Sequence, residues 1–293
     1  MGRILKFSLG GLIVVGLLTA LVIHGILSGW FVMQRPLAEL SSVLEDYVEV
    51  HFPDIGDGPF PVVAMFPGCG GFYQEDGTPK PLPPAYRDIA LDAGYAVVTV
   101  DGFSARGYDL ETLIDQVCSG HAYRGAERAQ EVALALHTIG IDSRLDDDHV
   151  VLAGWSHGGW TVMDALSFDM ISTRPHGLAD GEPGLFDGLR GVFLVYPYCS
   201  FPARTGSQGW RYQAEVTAVL VTEDQLAPED DCLSAFDLLQ TDGIAVDVTV
   251  LDGLTHAFDE ADTPPYHPRF TYDPEATADM HERFSAFLTQ LAQ

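Results

Sequence analysis

Lysine is almost missing from this chain. Only Lys6 and Lys80 occur in 293 residues, and 15 basic residues face 42 acidic ones. The first 35 residues hold Arg3, Lys6 and Arg35 and no acid at all, so the remainder carries 12 basic and 42 acidic residues, a formal charge of −30. A field of that sign repels phosphate backbones and excludes nucleic acid as a partner. Two readings of the acidity stand side by side: a surface suited to salty surroundings, where screening weakens self-repulsion, or simply a soluble acidic coat. No CxxC pair and no Cys/His cluster has zinc-site spacing, so no metal and no cofactor is expected. Internal repeats and low-complexity tracts are absent. With 47% hydrophobic residues, wholesale disorder is excluded.

Long apolar runs are confined to the start. After Arg3 and Lys6, residues 7–33 carry no charge except the titratable His24. A bilayer core of roughly 30 Å takes about 20 residues to cross, and a signal-peptide core is about 7–15 residues long. No convincing small-x-small cleavage site follows. Residues 1–35 therefore read as an uncleaved signal anchor, with a removed signal peptide as the alternative. Basic charge before the span keeps the start cytoplasmic and points residues 36–293 to the periplasm or cell exterior. His24 is tolerated there in neutral form, or is a functional intramembrane group. The four cysteines, Cys69, Cys118, Cys199 and Cys232, all lie in the exported part. An even count in an oxidising compartment suggests disulfides. Of the three possible pairings, Cys69–Cys118 with Cys199–Cys232 is the expected one. Four buried free thiols are the other reading.

Residues 34–47 read as a linker and short helix. Strand and helix signals then alternate. Strands are expected at 48–52, 61–66, 95–100, 149–153, 191–196, 217–222 and 245–251, with helices at 84–93, 126–139, 157–168, 229–239 and 274–291. Apolar strands alternating with amphipathic helices predict an α/β fold: a mostly parallel sheet covered on both faces. Ligands of such a sheet bind beyond the carboxyl ends of its strands.

Gly154-Trp155-Ser156-His157-Gly158 matches G-x-S-x-G and sits between a strand and a helix, the context that motif requires. A sharp turn there projects the Ser156 hydroxyl and aims the His157 N–H at a developing oxyanion. A serine hydroxyl is a poor nucleophile until a base takes its proton. His256 alone among ten histidines follows the final strand. His157 points along a helix, and His51, His121, His137, His149, His176, His267 and His281 read as structural or surface residues. Asp224 ends the preceding strand, with Glu223 as its competitor. The order Ser…Asp…His is the one used by α/β-hydrolases. The second oxyanion donor is expected from Pro67-Gly68-Cys69-Gly70-Gly71, from Cys69 or from Gly70. Gly70, Arg106 and Trp155 are candidate substrate contacts; a brace for its own loop is the other reading of Arg106.

The chain resembles the dienelactone hydrolase family of α/β-hydrolases. The resemblance covers roughly residues 48–290. It rests on Pro67–Gly71, on Val100-Asp101-Gly102-Phe103-Ser104-Ala105-Arg106-Gly107, on the Ser156 elbow, on Glu223-Asp224 with Pro228 and Cys232, and on His256-Ala257-Phe258. It implies that Ser156, Asp224 and His256 form a catalytic triad. Departures are informative. The family has a cysteine nucleophile where Ser156 stands, and a glutamate in the oxyanion loop that this chain lacks. Shortly after the histidine it has a carboxylate-binding arginine, where this chain reads Asp259-Glu260. Arg106 is offset by one residue from another of the family's arginines. The expected substrate is therefore a neutral ester, or a lactone, cleaved through an acyl-enzyme. Alternatives are a peptidase or acyltransferase on the same fold, and a catalytically retired, membrane-tethered binding protein.

Overall fold

Seven strands hydrogen-bond into one sheet in the order β1-β3-β2-β4-β5-β6-β7, and only β1 runs antiparallel to its neighbour. The computed structural model describes residues 9–261 and 270–292. The strands are β1 (Val48–His51), β2 (Phe60–Phe66), β3 (Ala96–Val100), β4 (Leu145–Trp155), β5 (Leu189–Val195), β6 (Glu215–Glu223) and β7 (Val246–Thr255). The helices are α1 (Leu9–Leu27), α2 (Leu37–Leu44), α3 (Leu82–Asp92), the single turn α4 (Leu110–Thr112), α5 (Gly125–Ile141), α6 (His157–Ser167), the short α7 (Thr205–Gln208), α8 (Glu229–Thr241) and α9 (Pro274–Leu291).

Alternation along each strand divides the core in two. Val62, Ala64 and Phe66 of β2 face α5, α6 and α8, whereas Val63 and Met65 face α3 and α9. Strands buried on both sides need continuous apolar runs, and this is why the runs were readable as strands. Helix α6 is buried along its whole length. It lies across the sheet centre, with α5 and β4 as its main neighbours. Asp273 caps α9, its carboxylate accepting from the N–H groups of Glu275 and Ala276.

The order of strands places the site. β3 lies on one side of β2 and β4 on the other, so the connections leaving β2 and β4 diverge and open a crevice between their carboxyl ends. The loop after β2 is Pro67–Gly71, and the turn after β4 holds Ser156. β7 extends four residues beyond its expected end at Leu251, because after a register shift Glu223 pairs with Thr255. His256 therefore emerges directly at the rim.

From Leu9 onward, the described part of the apolar run at 7–33 does not form one continuous element. Helix α1 stops at Leu27. Gly29, at φ 70°, turns the chain, and Trp30 and Phe31 fold back against Gly25. The N–H of Arg35 then donates to the Gly177 carbonyl and that of Leu37 to Asp180, tying the chain to the domain. Among the described residues no helix is long and apolar enough to cross a membrane, so the expected signal anchor is not borne out. His24 packs edge-on against Trp30. Arg3, Lys6 and His267 lie outside the described residues.

Candidate active site

Ser156 sits in a strained turn. Its φ of 53° is a conformation that side-chain-bearing residues rarely adopt, and it is held by the Ser156 N–H donating to the Val195 carbonyl and the Trp160 N–H donating to the Ser156 carbonyl. The flanking glycines make this turn possible. A Cβ on Gly158 would stand 1.8 Å from the Phe66 carbonyl oxygen. Only glycine lets α6 start this close to β2.

The Ser156 Oγ lies 2.8 Å from His256 Nε2, and His256 Nδ1 lies 2.6 Å from Asp224 Oδ2. The other oxygen of Asp224 accepts from the N–H groups of Leu226 and Ala227, which fixes the carboxylate plane. Asp224 and His256 are both buried, while the competitor Glu223 is exposed. Three side chains 68 and 32 residues apart in sequence thus form one hydrogen-bonded series at the rim of the sheet. Such a series can move a proton from hydroxyl to imidazole and stabilise the resulting imidazolium.

Cys69 and His157 both border the cavity above Ser156, and among the described residues neither backbone N–H donates a hydrogen bond within the protein. The His157 ring is buried. Desolvation and the nearby Arg128 guanidinium hold it well below the usual histidine range, so it is a poor proton acceptor. The remaining candidates are placed elsewhere. Gly70 faces a neighbouring hollow. Arg106 donates to the Gly102 carbonyl at 2.7 Å and lies 3.8 Å over the Tyr123 ring, so it braces its own loop. Trp155 is fully buried, because alternation in β4 turns it into the core toward Tyr86 and Phe284.

Both expected disulfides form, with Cα–Cα distances of 5.1 Å for Cys69–Cys118 and 5.0 Å for Cys199–Cys232. Each buttresses one wall of the cavity. The first joins the Pro67–Gly71 loop to the turn after the wide helical turn at Leu113–Val117. The second ties the segment carrying Tyr198, Phe201 and Pro202 to α8.

Several supports were not readable from local sequence. Arg128 on α5 is fully buried; it donates to the Pro67 carbonyl at 2.7 Å and to Glu131 at 2.8 Å, and Tyr123 donates to the same Glu131. This network holds the loop after β2 from below. Its only sequence signal is the Arg128 and Glu131 pair, three residues apart among apolar positions of α5. The cavity, about 290 Å³, is walled by Val117, Trp160, Tyr198, Phe201, Pro202 and Leu226, and among the described residues no lysine or arginine lines it.

No family model matches the chain, and no curated protein matches it. Solved structures do. A dienelactone hydrolase-like promiscuous phosphotriesterase from metagenomic libraries is 18% identical, with a TM-score of 0.63 over 83% of this chain and 92% of its own. An esterase of the planctomycete Thermogutta terrifontis, solved with propionate bound, is 16% identical, with a TM-score of 0.55 over 83% of this chain and 89% of its own. Dipeptidyl peptidase 4 of Porphyromonas gingivalis is 14% identical, with a TM-score of 0.56 over 83% of this chain but only 33% of its own. The seven-stranded sheet, the covering helices and these likenesses together give the conclusion that the chain has the α/β-hydrolase fold and resembles dienelactone hydrolase-like proteins in structure.

Proposed function

We propose that this protein is a serine hydrolase that cleaves neutral carboxylic esters through an acyl-enzyme. The observation that carries the reading is the Ser156–His256–Asp224 series opening onto a cavity. His256 takes the proton from Ser156 as the oxygen attacks the ester carbonyl. The oxyanion is met by the N–H groups of Cys69 and His157, and one such donor is typically worth about 2.7–4 kcal/mol of barrier. His256 then returns the proton to the departing alcohol. Water, deprotonated by the same imidazole, attacks the acyl carbonyl, and the proton passes to Ser156 Oγ as the acid leaves. Asp224 holds the Nδ1–H tautomer throughout.

The substrate class follows from the walls. The aromatic and aliphatic lining, with no cation among the described residues, suits a small uncharged acyl or alcohol group. Shortly after the histidine, where the family has its carboxylate-binding arginine, this chain reads Asp259-Glu260, which favours a neutral ester over a carboxylate-bearing lactone. Two disulfides support an oxidising, extracytoplasmic compartment. A fluorophosphonate probe is expected to label the wild type and not Ser156→Ala. Among p-nitrophenyl esters, turnover is expected to be highest for short acyl chains. Absence of labelling in folded wild type would overturn the hydrolase reading. Amide turnover matching ester turnover would move it to a peptidase.

A further inference from the structure

Three residues past His256, the carboxylate of Asp259 is buried (4% exposed) and, among the described residues, no lysine or arginine pairs with it. Its two oxygens are instead taken by phenols. Tyr86 of α3 donates to Oδ2 at 2.7 Å, and Tyr196, at the end of β5, donates to Oδ1. All three side chains are buried. Burial drives the Asp259 carboxyl above the usual carboxylate range, and the two hydroxyls pull it back. The arrangement is built at some cost. Tyr196 adopts φ 36° and Ala257, between histidine and aspartate, φ 57°. The Tyr196 ring then lies 4.7 Å from the His256 ring, centroid to centroid.

We propose that Asp259 is a positioning residue for His256: a second carboxylate, clamped by the hydroxyls of Tyr86 and Tyr196, that fixes the histidine loop and favours the imidazolium formed during attack. The proposal rests on the hydrolase reading above. Asp224 orients the imidazole by direct contact; Asp259 acts through the loop, through the Tyr196 ring and through its charge. A buried anion paired with hydroxyls keeps most of its field, because little water intervenes. Other titratable groups face the same region. Among the described residues they are Asp224 and Glu223 at the end of β6, Glu260 on the histidine loop, His157 on α6 and His281 of α9, which packs on Tyr86. None of these groups is altered by the test.

Tyr86→Phe removes one hydroxyl from a residue with no contact to Ser156 or His256. The expected result is an acid limb of kcat/KM for p-nitrophenyl acetate shifted to lower pH by about half a unit, with KM nearly unchanged. The sign follows from charge. With one donor gone, Asp259 binds a proton more readily, the anion is lost, and His256 becomes harder to protonate. Asp259→Asn should shift the limb the same way by about one unit and lower kcat roughly tenfold. The imidazole titration of His256, followed by NMR in the absence of substrate, should move in parallel. A lower melting temperature with an unmoved acid limb and an unmoved imidazole titration overturns the proposal and leaves a packing role. If Asp259→Asn does not fold, Tyr86→Phe decides alone. Wild type labelled by fluorophosphonate, with His256 titrating identically in both variants, sinks this proposal but not the hydrolase. Wild type without labelling sinks both.

Discussion

At the scale of single residues, buried ionisable groups set the expected pH behaviour. Asp164 of α6 is fully buried, accepting from the Trp160 indole and from the Arg204 N–H. Desolvation raises its carboxyl to about 7. A carboxyl whose folded value lies above its unfolded value of about 3.9 binds protons better in the native state. Stability is therefore lost as pH rises from about 4 to about 7 and is constant beyond. The ceiling on that loss is on the order of 4 kcal/mol. Asp164→Asn should abolish this slope. Thermal melts should place the variant near wild type at pH 4.5 and several degrees above it at pH 8, and a pH-independent difference would refute the argument. At the proposed reaction centre, Asp224→Asn keeps the shape and removes the charge proposed to hold the Nδ1–H tautomer. A fall in kcat of about 10⁴ is expected, with KM changed little. These residues differ in how far the sequence exposed them. Ser156, Asp224 and His256 follow strand ends and so were readable from strand patterns and spacing. Asp259 was visible only as a departure, because its partners Tyr86 and Tyr196 lie 173 and 63 residues away.

At the scale of elements, the packing of β2 against α6 decides whether the elbow exists. Gly158→Ala puts a methyl against the Phe66 carbonyl, a backbone atom that cannot rotate away. We expect soluble protein to be lost, or melting to fall by more than ten degrees, a larger effect than most single core changes produce. The Cys69–Cys118 bridge closes a separation of 49 residues. Loop-closure entropy puts its removal at about 4 kcal/mol as an upper figure. Cys118→Ser should also loosen the loop carrying the Cys69 N–H, so kcat should drop by about tenfold while fluorophosphonate labelling persists. Unchanged kcat in the folded variant would show that Arg128 and the Pro67 carbonyl hold the loop unaided. The strands were anticipated to within a few residues because their apolar runs answer to burial on both faces. The Leu113–Val117 turn and the short α7 were not. They are irregular segments whose shape is set by what they pack against, and no periodicity announces them.

At the scale of the whole molecule, the net charge of −27 dominates. The cost of self-repulsion falls as ionic strength rises and the Debye length shrinks from about 10 Å at 0.1 M to about 3 Å at 1 M. The melting temperature should therefore climb between 0.05 and 1 M NaCl. A flat or falling curve would mean that the surface ion pairs, such as Arg35–Glu39 and Arg283–Asp279, outweigh the repulsion. Exclusion of anionic substrates belongs to the same scale. Turnover of a carboxylate-bearing ester should recover relative to a neutral one as salt is added.

Composition, strand periodicity and one strand–turn–helix motif sufficed for the fold class and for naming Ser156, Asp224 and His256 as candidates, because these are written in simple counts or in positions just after strand ends; the cysteine count alone left three disulfide pairings open. The apolar run at 7–33 looked continuous by the same local criteria, yet the chain breaks at Leu27 and turns at Gly29. Only the tertiary structure decided that, and only it brought Tyr86, Tyr196 and Asp259 together, buried Arg128 beneath the oxyanion loop and turned Trp155 and Arg106 away from the cavity. The physical reason is common to all of them: each depends on which surfaces of distant segments exclude water from one another, and no window of sequence contains both partners.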